Sequence, residues 1–325
     1  MVRLFRTNIV LQVIIIAAVS LLLWGRTLVG GGGVVAADGF APLYRPIYSL
    51  LNQVPMVASI IAFVLIVAEG FLLNALLYER KLIPTNTLLP CLLYVTAMCL
   101  TPNAMTLSPM VIINLLTILI LRLLLLSSTL LTIPIEKIFG SAALIALASL
   151  FYLPAIVLLI PLLIIFIIYK LYSWRDWVVL LLGIAAPYIL LFCHYFLSDK
   201  MTTMWGLLLS NLSDWNLTLL NASILEYASC ALFLAILLVS LTYLPSFASS
   251  TVVIFRKNSG VICSLFIGSI LLTTYSGLYP VNTQPFSIPF AFSAATFFLT
   301  NKMKPWVGDI LLSLLIIVDL IINYC

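Results

Sequence analysis

Residues 140–169 read GSAALIALASLFYLPAIVLLIPLLIIFIIY and contain no charged side chain. Small residues fill the first part of this run, Tyr152 and Pro154 follow, and the remainder is more strongly apolar. A helix that crosses the hydrocarbon layer of a bilayer needs roughly 20 mostly apolar residues. We therefore predict two consecutive membrane-spanning helices, 139–153 and 154–172, joined by a tight turn.

The composition of the whole chain agrees with a membrane location. Of its 325 residues, 64% are hydrophobic and 8% are charged, whereas ordinary soluble domains carry about 25% charged residues. This composition excludes a soluble enzyme, a secreted disulfide scaffold and a disordered protein. The formal net charge is +5, but no more than two basic residues are adjacent, so the sequence predicts no nucleic-acid partner. The expected partner is the lipid bilayer.

The same length criterion predicts an all-α, polytopic transmembrane helical bundle. Eleven stretches qualify, with charged or Pro- and Gly-rich breaks between them: 8–28, 56–78, 87–101, 109–128, 139–153, 154–172, 177–197, 221–245, 260–278, 286–301 and 306–324. Three of them, 87–101, 139–153 and 286–301, are short; such spans are expected inside a bundle or in hairpins, so nine to eleven spans fit the pattern. We treat residues 1–325 as a single membrane domain.

The positions of the basic residues predict the orientation of the bundle. Lys and Arg accumulate in cytoplasmic loops. With the N-terminus in the cytoplasm, eleven basic residues lie on the cytoplasmic side and only Arg26, Arg45 and Lys200 lie on the outer side. The same arrangement places the C-terminus outside.

Two ionisable residues are predicted to lie within the hydrocarbon layer. Glu69 and Arg122 each lie thirteen residues into a span that begins on the predicted outer side, counted from Met56 and Pro109. At about 1.5 Å per residue, both lie about 20 Å deep. An unpartnered ionisable group near the bilayer centre costs about 2.5–3.5 kcal/mol, so we predict a structural Glu69–Arg122 ion pair. The alternative is that each side chain snorkels to the headgroups separately.

Polar residues on the predicted outer side define a candidate site. The members of this set are His194, the single histidine, and Glu226 near span ends, and Asp38, Tyr44 and Arg45 in the first outer segment. The second outer segment, 198–220, contains an amphipathic stretch, 201–219, with tryptophans typical of an interfacial helix. No HExxH motif and no Cys/His spacing specifies a metal ion, so no metal site is predicted.

Two breaks rich in Pro and Asn interrupt the apolar stretches: LTPNAMTLSP at 100–109 and YPVNTQPFSIP at 279–289. Paired broken helices are typical of secondary transporters, but the sequences that flank these two breaks do not match. Both breaks also fall at outer turns in the predicted topology, where Pro and Asn are ordinary. Transport would be supported only by an open midplane cavity that reaches Glu69, and a tightly packed interior at Glu69 would refute it.

The layout of residues 140–197 includes the aromatic–Pro turn, a short basic loop and a Gly-x-x-x-Pro helix at 183–187. Together with residues 75–126, it resembles an uncharacterised family of bacterial inner-membrane proteins that carries a domain of unknown function. The resemblance covers roughly residues 1–200. It implies a multi-pass protein of the bacterial inner (cytoplasmic) membrane.

The same region is similar, more distantly, to the membrane module of C-type glycosyltransferases, which transfer a sugar from a polyprenyl-phosphate donor. The resemblance implies a seven-span module over 1–197, followed over 198–325 by the outer amphipathic segment and about four further spans. It implies Asp38 as the catalytic base or the ligand of a divalent metal. It also implies that Arg45 and Arg26 contact the lipid phosphate, which guanidinium groups suit. With the polar residues on the same predicted side, the candidate substrate-binding residues are Arg26, Tyr44, Arg45, His194 and Glu226. Gly39 stands where many of these enzymes have a second acid.

Three functions are compatible with these features. The leading hypothesis is a polyprenyl-phosphate-dependent glycosyltransferase-like protein of envelope glycan assembly, with the lipid donor as its only cofactor. The second is a non-enzymatic membrane subunit of an envelope assembly or secretion complex, whose partners are other envelope membrane proteins. The third is a transporter of small solutes or lipids.

Overall fold

A computed structural model describes residues 5, 8–34, 42–83, 86–100, 106–125, 133–202, 204–206, 224–249, 253–275, 283–299 and 305–324. The described part is all-α and contains no strand, only an isolated bridge between Val34 and Leu107. Its α-helices are α1 (Ile9–Gly30), α2 (Tyr44–Leu51), α3 (Pro55–Glu79), α4 (Leu89–Met98), α5 (Pro109–Leu124), α6 (Ile135–Phe151), α7 (Leu159–Tyr169), α8 (Trp174–Leu197), α9 (Ile224–Ser249), α10 (Val253–Tyr275), α11 (Ser287–Leu299) and α12 (Pro305–Tyr324). Short 3₁₀ turns precede α7 and α11, at Leu153–Leu158 and Gln284–Phe286.

Each of the eleven predicted stretches overlaps one of these helices, and α2 is an additional short helix in the first outer segment. Five helices within the described residues are long and apolar enough to cross a membrane: Ile9–Gly30, Pro55–Glu79, Trp174–Leu197, Tyr227–Leu244 and Val253–Thr274. The all-α prediction is confirmed, and the apolar helices are those of an integral membrane protein. The count of eleven spans and the orientation stay predictions.

Local sequence accounts for several helix ends. Pro55 and Pro109 stand at the first turns of α3 and α5. Backbone N–H groups in a first turn have no partner within the helix, so proline removes no hydrogen bond there. Helix α1 ends at Gly31, whose φ of 69° is left-handed. Glycine adopts this conformation without a Cβ penalty, so it closes the last turn.

Two of the three short spans, α4 and α11, lie in the centre of the bundle. Every residue of both helices is buried, and the two helices pack against each other. Helix α3 covers α4, α9 covers α11, and the outer helices α1 and α12 pack on α3 and α9 and on each other. The third short span, 139–153, lies in α6, which exposes Ile135 and Phe139. The expectation that short spans lie inside the bundle or in hairpins is thus met inside the bundle by 87–101 and 286–301.

Helix α8 lies at the periphery and packs mainly on α6. Gly183 allows the close approach, because a Cβ at this position would lie 2.7 Å from the Phe139 carbonyl oxygen and 2.8 Å from the Ala142 Cβ. The remaining surface of α8 exposes large apolar side chains such as Leu181 and Leu190. This exposed surface suits contact with lipid acyl chains.

Contacts between chain-distant residues fix which helix ends lie together. The Trp24 ring, near the end of α1, makes an edge-to-face contact with Phe63 in the first half of α3. Its indole N–H donates to the Cys99 sulfur at the end of α4. At the opposite end of the bundle, the Gln12 side chain accepts a hydrogen bond from the Leu88 N–H. We call the Trp24 end the predicted outer end and the Gln12 end the predicted cytoplasmic end.

Candidate functional site

The centre of the bundle contains a buried acid, Glu69 of α3. Its side chain is 0% exposed. The Tyr94 hydroxyl of α4 donates a hydrogen bond to Glu69 Oε2 at 2.6 Å, and Glu69 Oε1 has no hydrogen-bond partner. One carboxyl oxygen is thus held by a tyrosine, and the other lies without a donor in an apolar interior.

The predicted ion pair between Glu69 and Arg122 is wrong. The Arg122 side chain is exposed, and the Arg122 carbonyl accepts a hydrogen bond from Arg80 at the predicted cytoplasmic end. Depth along a span gives the height of a residue in the bundle but not the side of the helix it occupies. The alternative, that both side chains snorkel separately, is also not met, because Glu69 is buried and bonds to Tyr94.

The two Pro- and Asn-containing breaks meet beside this acid. The Asn114 amide of α5 donates to the Gln284 carbonyl oxygen at 3.0 Å and to Ser287 Oγ at 3.3 Å. Ser108, which precedes α5, donates from its hydroxyl to Gln284 Oε1 at 3.2 Å. These side chains are buried, so a polar interface joins the first break to the second inside the bundle.

A further hydrogen bond joins the second break to α4. The Thr283 hydroxyl donates to the Ala97 carbonyl oxygen in the last turn of α4 at 3.1 Å. Tyr94, one turn earlier on α4, lies beside Ser287 and Asn114. The Glu69–Tyr94 pair and the two breaks consequently form one continuous polar centre, which consists of Glu69, Tyr94, Asn114, Ser108, Thr283, Gln284 and Ser287.

The polar centre is closed in this conformation. Because Glu69 is 0% exposed, no space large enough for a water molecule touches its side chain. A Cβ added at the adjacent Gly70 would lie 3.0 Å from the Cys91 sulfur, which shows how tightly α3 packs on α4. The open cavity expected at Glu69 for a transporter is therefore not found here.

The structure does not gather the predicted substrate-binding residues around one ligand position. Arg26 donates from Nη1 to the Asn323 carbonyl oxygen of α12 at 3.1 Å. The Tyr44 hydroxyl is buried and donates to the Leu107 carbonyl oxygen, and burial, with a smaller effect of Tyr48, raises the pKa of Tyr44 above its usual value. Arg45 is exposed on α2. Arg26 and Tyr44 thus contribute to the packing of the predicted outer end.

The other predicted site residues are described only in part. His194 is exposed near the end of α8 and meets the Tyr195 ring edge-on at 5.8 Å. Asp38 and the Glu226 side chain lie outside the described residues, as does most of the amphipathic stretch 201–219. Within that stretch, Met204 is buried and Trp205 is 54% exposed. The glycosyltransferase site around Asp38 stays a prediction.

Sequence reasoning missed the members of the polar centre other than Glu69. Tyr94 and Asn114 are uncharged at neutral pH, so a search for ionisable residues passes over them. The sequence could have indicated these residues, because polar side chains recur in the short apolar stretches 87–101 and 286–301 and at the breaks beside them. In the described part of the chain, no three His, Cys, Asp or Glu side chains are grouped to hold a metal ion.

Comparison with known proteins does not assign a function to the polar centre. No protein-family model, no curated protein and no solved structure matches the chain. Function must therefore be argued from the polar centre and its surroundings.

Proposed function

We propose that the chain is an integral membrane protein whose conformation is controlled by protonation of Glu69. The observation that carries this proposal is the polar centre, in which a buried carboxyl group lies beside the contact between two breaks in the apolar stretches. Two features of this centre support a conformational role, and each has a physical reason.

The first feature is the contact between two short central helices. Helices α4 and α11 are wholly buried and pack against each other. The described parts of the breaks that adjoin them are joined through Ser108 and Gln284. Polar contacts between helices contribute little free energy each in membrane proteins, so this interface suits a conformational change.

The second feature is the buried acid. An ionised carboxylate inside a membrane protein is costly and is rarely retained without a task. Glu69 has a hydrogen-bond donor on only one of its two oxygens. A proton supplies the missing donor at Oε1, and loss of that proton destabilises the closed packing around the group. Protonation of Glu69 would thus favour the closed conformation, and deprotonation would favour opening.

The closed interior at Glu69 contradicts the transport hypothesis, so the proposal names no transported solute. Opening requires α4 and α11 to separate, and the polar bonds between the breaks are then exchanged for bonds to water. Each interhelical hydrogen bond of this kind contributes only about 0.6 kcal/mol on average in membrane proteins. The interface can therefore open at a modest cost in free energy.

The test is hydrogen–deuterium exchange of the purified protein at several pH values, with each rate divided by the intrinsic exchange rate at that pH. We expect exchange in α4 and α11 to increase with pH in the wild type and in Glu79→Gln, an exposed position on the same helix α3. Glu69→Gln, which stays uncharged, should keep both helices protected. Exchange in α4 and α11 that does not depend on pH in the wild type, or that depends on pH equally in Glu69→Gln, contradicts the proposal.

The two other hypotheses stay predictions. The glycosyltransferase hypothesis depends on Asp38, and Asp38→Ala tests it: unchanged envelope glycans in cells that carry this variant would refute it. Arg26 and Tyr44, which it assigns to the lipid donor, are bonded to Asn323 and Leu107 instead. A partner that co-purifies at fixed stoichiometry would support the subunit hypothesis.

A further inference from the structure

A second buried acid, Asp319 of α12, lies apart from the polar centre. Its side chain is 0% exposed, and neither carboxyl oxygen has a hydrogen-bond partner. One turn later, Asn323 is 5% exposed, and its Oδ1 has no hydrogen-bond partner either. Residues at i and i+4 share a helix face, so three buried oxygen atoms without donors occur on one side of α12.

This face of α12 meets the carboxyl end of α4. The Asn323 amide donates to the Cys99 carbonyl oxygen at 3.3 Å, and Asp319 is close enough to influence the Cys99 thiol electrostatically. The carboxyl end of a helix carries a partial negative charge from its unpaired carbonyl groups. A carboxylate at this end, without a donor, is repelled by its surroundings unless a positive charge is present.

The side chains of this region do not provide that charge. Arg26 is the basic residue at this end of α1, and its guanidinium donates to the Asn323 carbonyl oxygen rather than to Asp319. The Cys99 sulfur accepts the Trp24 indole N–H, and the Tyr324 hydroxyl donates to the Leu22 carbonyl oxygen. Helix α9, which also packs on α12, contributes three titratable side chains in its described part: Tyr227, Cys230 and Tyr243.

We infer that Asp319 and Asn323, with the Cys99 carbonyl at the end of α4, bind a sodium ion. All of the donor atoms are oxygens, which suit a hard cation rather than a transition metal. Calcium requires six to eight oxygen ligands, and several of these are usually carboxylates, whereas this site offers one carboxylate. A monovalent cation balances the single negative charge. Helix carboxyl ends coordinate sodium in the same way in transporters with interrupted helices.

The site is independent of the proposed role of Glu69. It lies at the predicted outer end, on α12 and the end of α4, and it shares no residue with the polar centre. Sodium binding could hold α12 against α4 in any membrane protein with this fold. Failure of the Glu69 test would leave this inference intact, and the reverse also holds.

The test is thermal unfolding of the purified full-length protein at fixed pH and ionic strength, with choline chloride replaced stepwise by sodium chloride. Sodium should raise the melting temperature of the wild type in a saturable manner, because a ligand that binds only the folded state stabilises it. Asp319→Asn should abolish the dependence on sodium. Asp309→Asn, a control on the same helix, should retain it.

Two results would overturn the inference. The first is a wild-type melting temperature that does not depend on sodium, in which case a proton neutralises Asp319. The second is a sodium dependence that persists in Asp319→Asn. Because loss of the unpartnered charge favours folding, Asp319→Asn should melt no lower than the wild type without sodium, so the variant remains usable. Retention of radioactive sodium by the wild type, but not by Asp319→Asn, provides a second measurement.

Discussion

The Tyr94 hydroxyl lies 2.6 Å from Glu69 Oε2, a short distance for a hydrogen bond between two oxygens. This bond joins the long helix α3 to the short central helix α4. It fixes the orientation of the carboxyl group and leaves Oε1 directed into the interior without a donor. The relationship makes Tyr94 the positioning residue of the polar centre.

Tyr94→Phe should destabilise the protein by about 1–3 kcal/mol, because it removes the only donor to a buried acid. The measurement is the free energy of unfolding in detergent. Tyr78→Phe on α3 is the control, since Tyr78 is 51% exposed and its hydroxyl should contribute little. A change equal to that of the control would show that the Tyr94–Glu69 bond contributes nothing to stability.

Asn114→Ala should weaken the junction between the two breaks. It removes the donors to Gln284 and Ser287, and interhelical bonds of this kind contribute about 0.6 kcal/mol each and at most about 1.7 kcal/mol. We expect a loss of about 1–3 kcal/mol in the free energy of unfolding. Gln53→Ala, at an exposed position between α2 and α3, should change it by less than about 0.5 kcal/mol. Indistinguishable values for the two variants would show that the Asn114 hydrogen bonds to Gln284 and Ser287 do not contribute to stability.

Gly183→Ala should separate α8 from α6. The added Cβ would lie 2.7 Å from the Phe139 carbonyl oxygen, and overpacking of this kind costs about 1–3 kcal/mol. Gly260→Ala is the matched control, because its Cβ would meet Ile168 Cδ1 at an ordinary 3.5 Å. Alanine favours the helix over glycine, so the control should be neutral or stabilising. Equal effects of the two substitutions would refute the close α6–α8 contact.

The predicted orientation is tested with fused reporters. A reporter enzyme that is active only outside the cytoplasm should be active when fused after Cys325 and inactive when fused after Lys257. The reason is the excess of basic residues in the loops assigned to the cytoplasm. A reporter that is active after Lys257 would reverse the orientation.

Much of the fold could be predicted from the sequence because span length and helix position are linked. The stretches 87–101 and 286–301 are too short to face lipid across the full layer, and α4 and α11 are indeed wholly buried. Runs of apolar residues bounded by Pro, Gly and charge identify helices well. They locate the helix ends within a few residues.

The site could be predicted only in part, because neighbouring helices are not visible in a single sequence. Equal depth of Glu69 and Arg122 gave a plausible pair, but Tyr94 lies beside Glu69 and Arg122 is exposed. The Ser108–Gln284 contact between the breaks at 100–109 and 279–289 joins residues 176 positions apart, and nothing local in the chain encodes it. The lack of hydrogen-bond donors at Asp319 also depends on packing between helices.

The central claim is that Glu69 exchanges a proton, and infrared difference spectroscopy of the purified protein tests it most directly. As the pH of the medium is stepped up and down, the wild-type difference spectrum should contain the absorbance of protonated carboxyl groups, including a band from Glu69. This band should be absent from the spectrum of Glu69→Gln and present in that of Glu79→Gln. A Glu69→Gln spectrum identical to that of the wild type would contradict the account.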